Sequence, residues 1–136
     1  MTQETKRVTV TWRDSLRFEG GEPDGPTVTV DGTNASAPGP MLQLLVALAA
    51  CTGADVVSVL EKMRVPPATF RMEVRGLRAE TDPKRYLGIH IDYYLAGPGL
   101  DETKARRAID LSLEKYCSVT HTLRLDRPLT YDLHLG

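Results

Sequence analysis

Three observations predict an α+β fold with largely antiparallel strands. Six short segments alternate apolar and polar residues with the two-residue period of strands. Two longer, proline-free segments carry helix formers. Their order, β-β-β-α-β-β-α-β, groups strands together instead of interleaving each with a helix. At 136 residues, with no repeat, low-complexity tract or linker, the chain is expected to form a single domain over 1–136.

Val8, Val10 and Trp12 alternate with Thr9 and Thr11, as in a half-buried strand. Leu16-Arg17-Phe18-Glu19 continues extended, and the stretch from Gly20 to Pro26 marks a loop. Thr27-Val28-Thr29-Val30-Asp31 alternates again, so the opening third reads as an antiparallel meander. Pro38 and Pro40 punctuate the start of a helix over 41–64, which Pro66-Pro67 ends. Its first half, Met41 to Ala50, is apolar nearly all round except for Gln43, the pattern of a helix buried on every side. Its second half turns Val56, Val57, Leu60 and Met63 inward and Glu61, Lys62 and Arg64 outward. A chain this short offers little cover for such a helix, and a homodimer that sandwiches it supplies the missing layer.

Phe70 to Arg75 alternates strictly, and Leu87, Ile89, Ile91 and Tyr93 alternate against Gly88, His90 and Asp92, so these segments read as a long hairpin across the turn Thr81-Asp82-Pro83-Lys84. After Gly97-Pro98-Gly99, Asp101 is placed to cap an amphipathic helix over 104–116. Thr130 to Leu135 is a last short strand.

Hydrophobic residues make up 41% of the chain and charged residues 26%, with a net charge of −1. There is no basic footprint for nucleic acid. The N-terminal residues lack the apolar segment of a secretory leader, and the apolar run from Leu44 to Cys51 is too short to span a membrane. A cytoplasmic protein with no membrane partner is expected. In that compartment a permanent disulfide is disfavoured, while a catalytic or redox-sensing one is allowed.

That matters because Cys51 and Cys117 are the only cysteines. Two readings fit the residues alone: a pair of inert, packed thiols, or a redox couple. A working nucleophile needs a cation or donors near the sulfur. Cys51 lies too far along its helix for the N-terminal dipole to serve. Arg17 is the first candidate cation and Arg13 the second. Asp55, one turn beyond Cys51, is placed to anchor such an arginine, to oppose ionisation of the thiol, or to act as a paired polar group in the helix core. Zinc on Cys51, Cys117 and His121 is not expected, because there is no CxxC pair and no HxxxH. His90 and His134 read as exposed strand residues. No cofactor motif is present: P-loop, GxGxxG and GxSxG are all missing.

The segment Gly39-Pro40-Met41-Leu42-Gln43-Leu44-Leu45, followed by Ala49-Ala50-Cys51-Thr52-Gly53-Ala54-Asp55-Val56-Val57-Ser58-Val59-Leu60-Glu61-Lys62-Met63-Arg64, resembles the OsmC/Ohr family, and more narrowly its OsmC-like branch. Lys115-Tyr116-Cys117-Ser118-Val119 and Leu16-Arg17-Phe18-Glu19-Gly20 fit the same pattern in the same order. The resemblance implies an intertwined homodimer in which sheets wrap two central helices. It implies a thiol-dependent peroxidase acting on organic hydroperoxides, with Cys51 peroxidatic, Cys117 resolving through an intramolecular disulfide, and a dithiol reductant of the lipoyl type. Arg17 is the nearest match to the family's activating arginine. Peroxidase members carry a glutamate just after the helix-starting proline, where this chain has Met41-Leu42-Gln43. Gln43 or Asp55 is then the expected substitute acceptor at the substrate site. The alternative is a non-catalytic dimer that binds a small hydrophobic ligand or senses redox state.

Overall fold

The protein is described over residues 3–136 in a computed structural model. It divides into two units, 1–44 and 45–136, with the boundary inside the first helix.

The first unit is the expected meander: β1 (Thr9–Asp14), β2 (Arg17–Gly21) and β3 (Thr27–Asp31) pair antiparallel in sequence order. Opposed residues share a face, and the register sets Trp12 against Phe18, Phe18 against Val30, and Gly20 between Val10 and Val28. One face is therefore Val10, Trp12, Phe18, Val28 and Val30, while Thr11, Glu19 and Thr29 lie on the other. Most of that apolar face is open: Val10, Trp12 and Val28 are 59%, 61% and 58% exposed. After β3, buried Asp31 ties down the loop by accepting from the backbone N–H and hydroxyl of both Thr33 and Ser36, at 2.7–2.9 Å. These four bonds hold its carboxyl well below the usual carboxylate range, the backbone bond from Ser36 contributing most.

Helix α1 runs Pro40–Lys62, starting at the proline as its missing N–H allows. Its buried residues Leu48, Thr52, Val56 and Leu60 recur every four positions and form one stripe. The expectation that its first half is covered all round does not hold within one chain. Leu42 and Val46 are 43% and 56% exposed, and Ala47 and Ala50 also face outward. Nor does the short apolar run describe the whole element. The 23-residue helix reaches the length and mean hydropathy, 1.8, of a membrane span. One face of it carries the buried stripe, and Asp55 interrupts the apolar run.

The C-terminal end of α1 is closed by a Schellman turn, in which Arg64 N–H donates to Glu61 O and Val65 N–H to Leu60 O, at 3.0 and 2.9 Å. Arg64 is left-handed there, with φ 62°. Arg64→Gly is expected to stabilise the protein by roughly 0.5–1 kcal/mol in urea unfolding, since relief of the ~1–2 kcal/mol left-handed strain exceeds glycine's added chain entropy.

In the second unit, β4 (Thr69–Arg78) and β5 (Tyr86–Ala96) form the expected antiparallel hairpin, and β6 (Thr130–Leu135) joins β5 on its other edge. β6 runs parallel to β5, so this sheet is mixed and departs from the largely antiparallel reading. The reason is connectivity: the chain crosses over through helix α2 (Glu102–Leu111) between the two strands, as parallel neighbours require. Asp101 caps α2 as expected, accepting from Lys104 N–H at 2.8 Å. Ile89, Ile91, Tyr93 and Leu95 of β5 are buried on one face, with Phe70, Met72 and Val74 of β4 beside them. Val56 and Leu60 of α1 and Ala105, Ala108 and Ile109 of α2 are buried in the same unit. Burying each large side chain in such a core contributes about 1.5–3 kcal/mol.

Candidate active site

Two local features shape the site. Gly53 sits in mid-helix, where glycine costs about 1 kcal/mol relative to alanine. A Cβ there would lie 2.7 Å from Met72 Cε, the flexible end of that side chain, which would have to shift. The second feature follows α2. The expected regular helix through Tyr116 ends at Leu111, and Ser112–Tyr116 forms a wide π turn closed by Cys117 N–H to Ser112 O at 2.7 Å. Continued as regular α-helix, the chain would present residue 117 about 100° away from where the wide turn leaves it.

Cys117 emerges from that turn as the N-cap of the short helix α3 (Ser118–Thr122). Its sulfur accepts from the Thr120 hydroxyl at 3.0 Å and from Thr120 N–H at 3.5 Å. Cys117 is fully buried, Cys51 is partly exposed on α1, and both are free thiols. The structure brings the two sulfurs together. Burial pushes the Cys117 thiol up, the Thr120 bonds pull it down, and a hydrogen bond with Cys51 raises it again.

Beside the thiols runs a buried chain of hydroxyls. Thr52 Oγ1 lies 2.8 Å from Tyr93 OH and 2.8 Å from Ser112 Oγ, and Ser112 Oγ–H donates to Asp55 Oδ2 at 2.9 Å. The Ser112 proton goes to Asp55, and each hydroxyl carries a single proton. The direction is therefore set: Tyr93 donates to Thr52, Thr52 to Ser112, and Ser112 to Asp55. Burial raises the Tyr93 phenol well above its ordinary value, so it stays a donor. Its ring stacks on Phe70 at 6.4 Å and meets Tyr131 edge-on at 5.7 Å. The network ties α1, β5 and the turn before Cys117 into one frame, and it brackets Cys51 through its neighbour Thr52.

Asp55 is thus hydrogen-bonded to Ser112, and among the described residues no arginine forms an ion pair with it. A cavity of about 410 Å³ opens at this carboxylate, lined by Asp55, Val59, Met63, Arg107, Leu111 and Tyr116. Arg17 belongs to the first unit, where it pairs with Asp14, and Arg13 reaches Glu19 at 3.3 Å. Gln43 uses its side-chain N–H to donate to Thr29 O at 2.9 Å, which ties the first turn of α1 to β3. The first turn of α1 holds no acidic residue. His121 lies against Leu113 O at 3.1 Å. His134 is exposed as expected, His90 is half-buried, and both contact Asp92.

Sequence reasoning passed over Thr52, Tyr93, Ser112 and Thr120. Ser112 did leave a signal, because it falls four residues after Ala108 on the buried stripe of α2, where an unpaired hydroxyl would be costly. Thr120 left one too, three residues after Cys117, the spacing of a capped helix start.

A model of the OsmC-like protein family matches residues 32–132. Protein YhfA of Escherichia coli K12 is 35% identical over 111 residues, 81% of this chain and 83% of the relative. A crystal structure of a hypothetical protein from Aquifex aeolicus VF5 superposes with a TM-score of 0.83 at 27% identity, covering 98% of this chain and 99% of that one. The organic hydroperoxide resistance protein OhrB of Bacillus subtilis shares the fold with a TM-score of 0.60 at 17% identity, covering 98% of each chain. With the family match spanning both cysteines and the architecture reproduced over nearly its whole length, this chain belongs to the OsmC-like family.

Proposed function

We propose that this protein is a thiol-dependent peroxidase that reduces organic hydroperoxides, with Cys51 peroxidatic and Cys117 resolving. The observation that carries this reading is the thiol pair itself. A partly exposed sulfur has a buried, hydrogen-bonded sulfur as its immediate neighbour. The Cys51 thiolate attacks the peroxide O–O bond. One oxygen stays on sulfur as Cys51–SOH, and the other leaves as the alcohol after taking a proton. The Cys117 thiol then attacks that sulfur, the S–S bond forms, and water departs. A dithiol of the lipoyl class returns both thiols and is itself oxidised to a disulfide. The cavity at Asp55 offers apolar Val59, Met63 and Leu111 beside charged Lys62 and Arg107, and neither cysteine lines it. Arg17 is proposed as the activating cation, with Gln43 and Asp55 as the polar groups of the substrate site.

The working form is proposed to be a cytoplasmic homodimer. The open apolar face of the meander and the uncovered Leu42 and Val46 of α1 expose large apolar side chains of the kind that mark interaction surfaces. A second copy of the chain is the natural cover for both.

The missing first-turn acid in α1 supports a second reading, a non-catalytic dimer that binds a hydrophobic ligand or senses redox state. One experiment separates them. Reduced protein is mixed with a small excess of cumene hydroperoxide, with hydrogen peroxide for comparison, and free thiols are counted over seconds. The peroxidase loses both thiols per chain, faster with the organic peroxide, and Cys51→Ser abolishes the loss. Thiols consumed only as slowly as free cysteine would overturn the catalytic reading and leave the ligand-binding one.

A further inference from the structure

The sheet of the second unit has a polar outer face that the thiol chemistry does not use. Its register places Arg75, His90 and Thr130 in one row and Glu73, Asp92 and Asp132 in the next. On this face His90 Nε2 lies 3.2 Å from Asp132 Oδ2 and 3.5 Å from Asp92 Oδ1. All three donor atoms fall within 4.8 Å of one another. Yet Nε2, closed off from solvent, is aligned with neither carboxylate and has no hydrogen-bond partner. Three electron-pair donors lie together, and His90 Nε2 bonds to neither carboxylate.

We propose that His90 Nε2, Asp92 and Asp132 form a binding site for a divalent transition-metal ion of the zinc or cobalt type. The two separations from His90 Nε2, 3.2 and 3.5 Å, fit: ligands about 2.05 Å from a tetrahedral ion stand about 3.4 Å apart, since the edge is ~1.63 times the bond. The supporting shell fits as well. His90 Nδ1 contacts Thr130 Oγ1 at 2.7 Å, and Nδ1–H donating there leaves the Nε2 lone pair for the metal. His134 Nε2 lies 2.9 Å from Asp92 Oδ1 and orients that carboxylate, while its own ring is fixed by stacking on Tyr94 at 4.4 Å. An imidazole among the ligands selects against magnesium and calcium, which take oxygen alone. Arg75 approaches Asp92 Oδ2 at 4.0 Å, and Asp132 is mostly exposed, so the site is open to solvent on one side. Water arriving on the Asp132 side would complete the coordination. The ion would clasp β6 to β5.

Cobalt(II) separates this site from the thiols, because thiolate ligands give a strong charge-transfer absorption that nitrogen and oxygen ligands do not. Titrating the full-length reduced protein with Co²⁺ is expected to give saturable visible bands without thiolate charge transfer, one ion per chain, displaced by Zn²⁺. His90→Ala and Asp132→Asn should each abolish the bands or weaken binding by more than tenfold, while Cys51→Ser leaves them intact. His134→Ala, acting on Asp92 from outside, should weaken binding by about tenfold. Circular dichroism checks that each variant is folded, and exposed Asp132 supplies a variant that disturbs no packing. Absence of saturable binding up to the millimolar range, a thiolate spectrum lost in Cys51→Ser, or binding unchanged in His90→Ala and Asp132→Asn would each overturn the proposal.

Discussion

Cys117→Ser will keep its fold, reduce one equivalent of organic hydroperoxide per chain, and then stop. The fold survives because Cys117 caps α3, and serine is a preferred residue there. The Thr120 hydroxyl and N–H that point at the sulfur become donors to the new oxygen. Cys51 stays partly exposed, so its first encounter with peroxide is unaffected. What is lost is the neighbouring sulfur. A resolving thiol held against Cys51 acts at a very high effective concentration, and a dithiol from solution does not. Steady-state turnover with a lipoyl dithiol should therefore fall by on the order of 100-fold or more. Mass spectrometry of the oxidised variant will find one oxygen added at Cys51, trapped by a sulfenic-acid reagent, and two oxygens under excess peroxide. Full turnover retained in Cys117→Ser would remove Cys117 from the mechanism.

The sequence made the elements legible and left their assembly hidden, for identifiable reasons. Strand alternation found all six strands, because each sheet presents one apolar face, and that pattern is local. Asp101 and Pro40 marked helix starts through cap chemistry that needs no tertiary context. The direction of β6 was not legible, since a strand's own pattern does not say whether its neighbour runs parallel. The π turn was hidden in the same way: Ser112-Leu113-Glu114-Lys115-Tyr116 has ordinary helical composition, and only the bond from Cys117 N–H to Ser112 O reveals the wider winding. It decides where the second thiol points. The expectation for Arg17 came from the strand it sits on and its apolar neighbours, and the partner recorded for it is Asp14. Asp55 was read by its distance from Cys51 along the helix. Its true partner, Ser112, comes from far along the chain, and no helical period carries that information.

The hydroxyl network gives the largest stability effect expected from one near-isosteric change. Thr52→Val preserves shape and removes the oxygen that accepts from Tyr93 and donates to Ser112. Ser112 keeps Asp55 as acceptor, so its loss is small. Tyr93 is fully buried, and its hydroxyl then has no acceptor among its recorded partners. A buried donor left unsatisfied costs about 1–3 kcal/mol, and the lost bond to Ser112 adds to that, so about 2–3 kcal/mol is expected. In a chain of this size that lowers Tm by roughly 6–12 °C. Tyr93→Phe in the same background removes the stranded hydroxyl and should recover most of the loss. The coupling in the double-mutant cycle will therefore be at least about 1 kcal/mol. The same pair reports on function. Thr52 follows Cys51, and Ser112 begins the turn that delivers Cys117. Loss of the bond between them loosens the frame that holds the sulfurs together. Disulfide formation after peroxide should slow in Thr52→Val and stay slow in the double variant, even where stability returns. If the double variant regained both, the network would serve the core alone. If it regained stability and not rate, Thr52 is a positioning residue for the thiol pair.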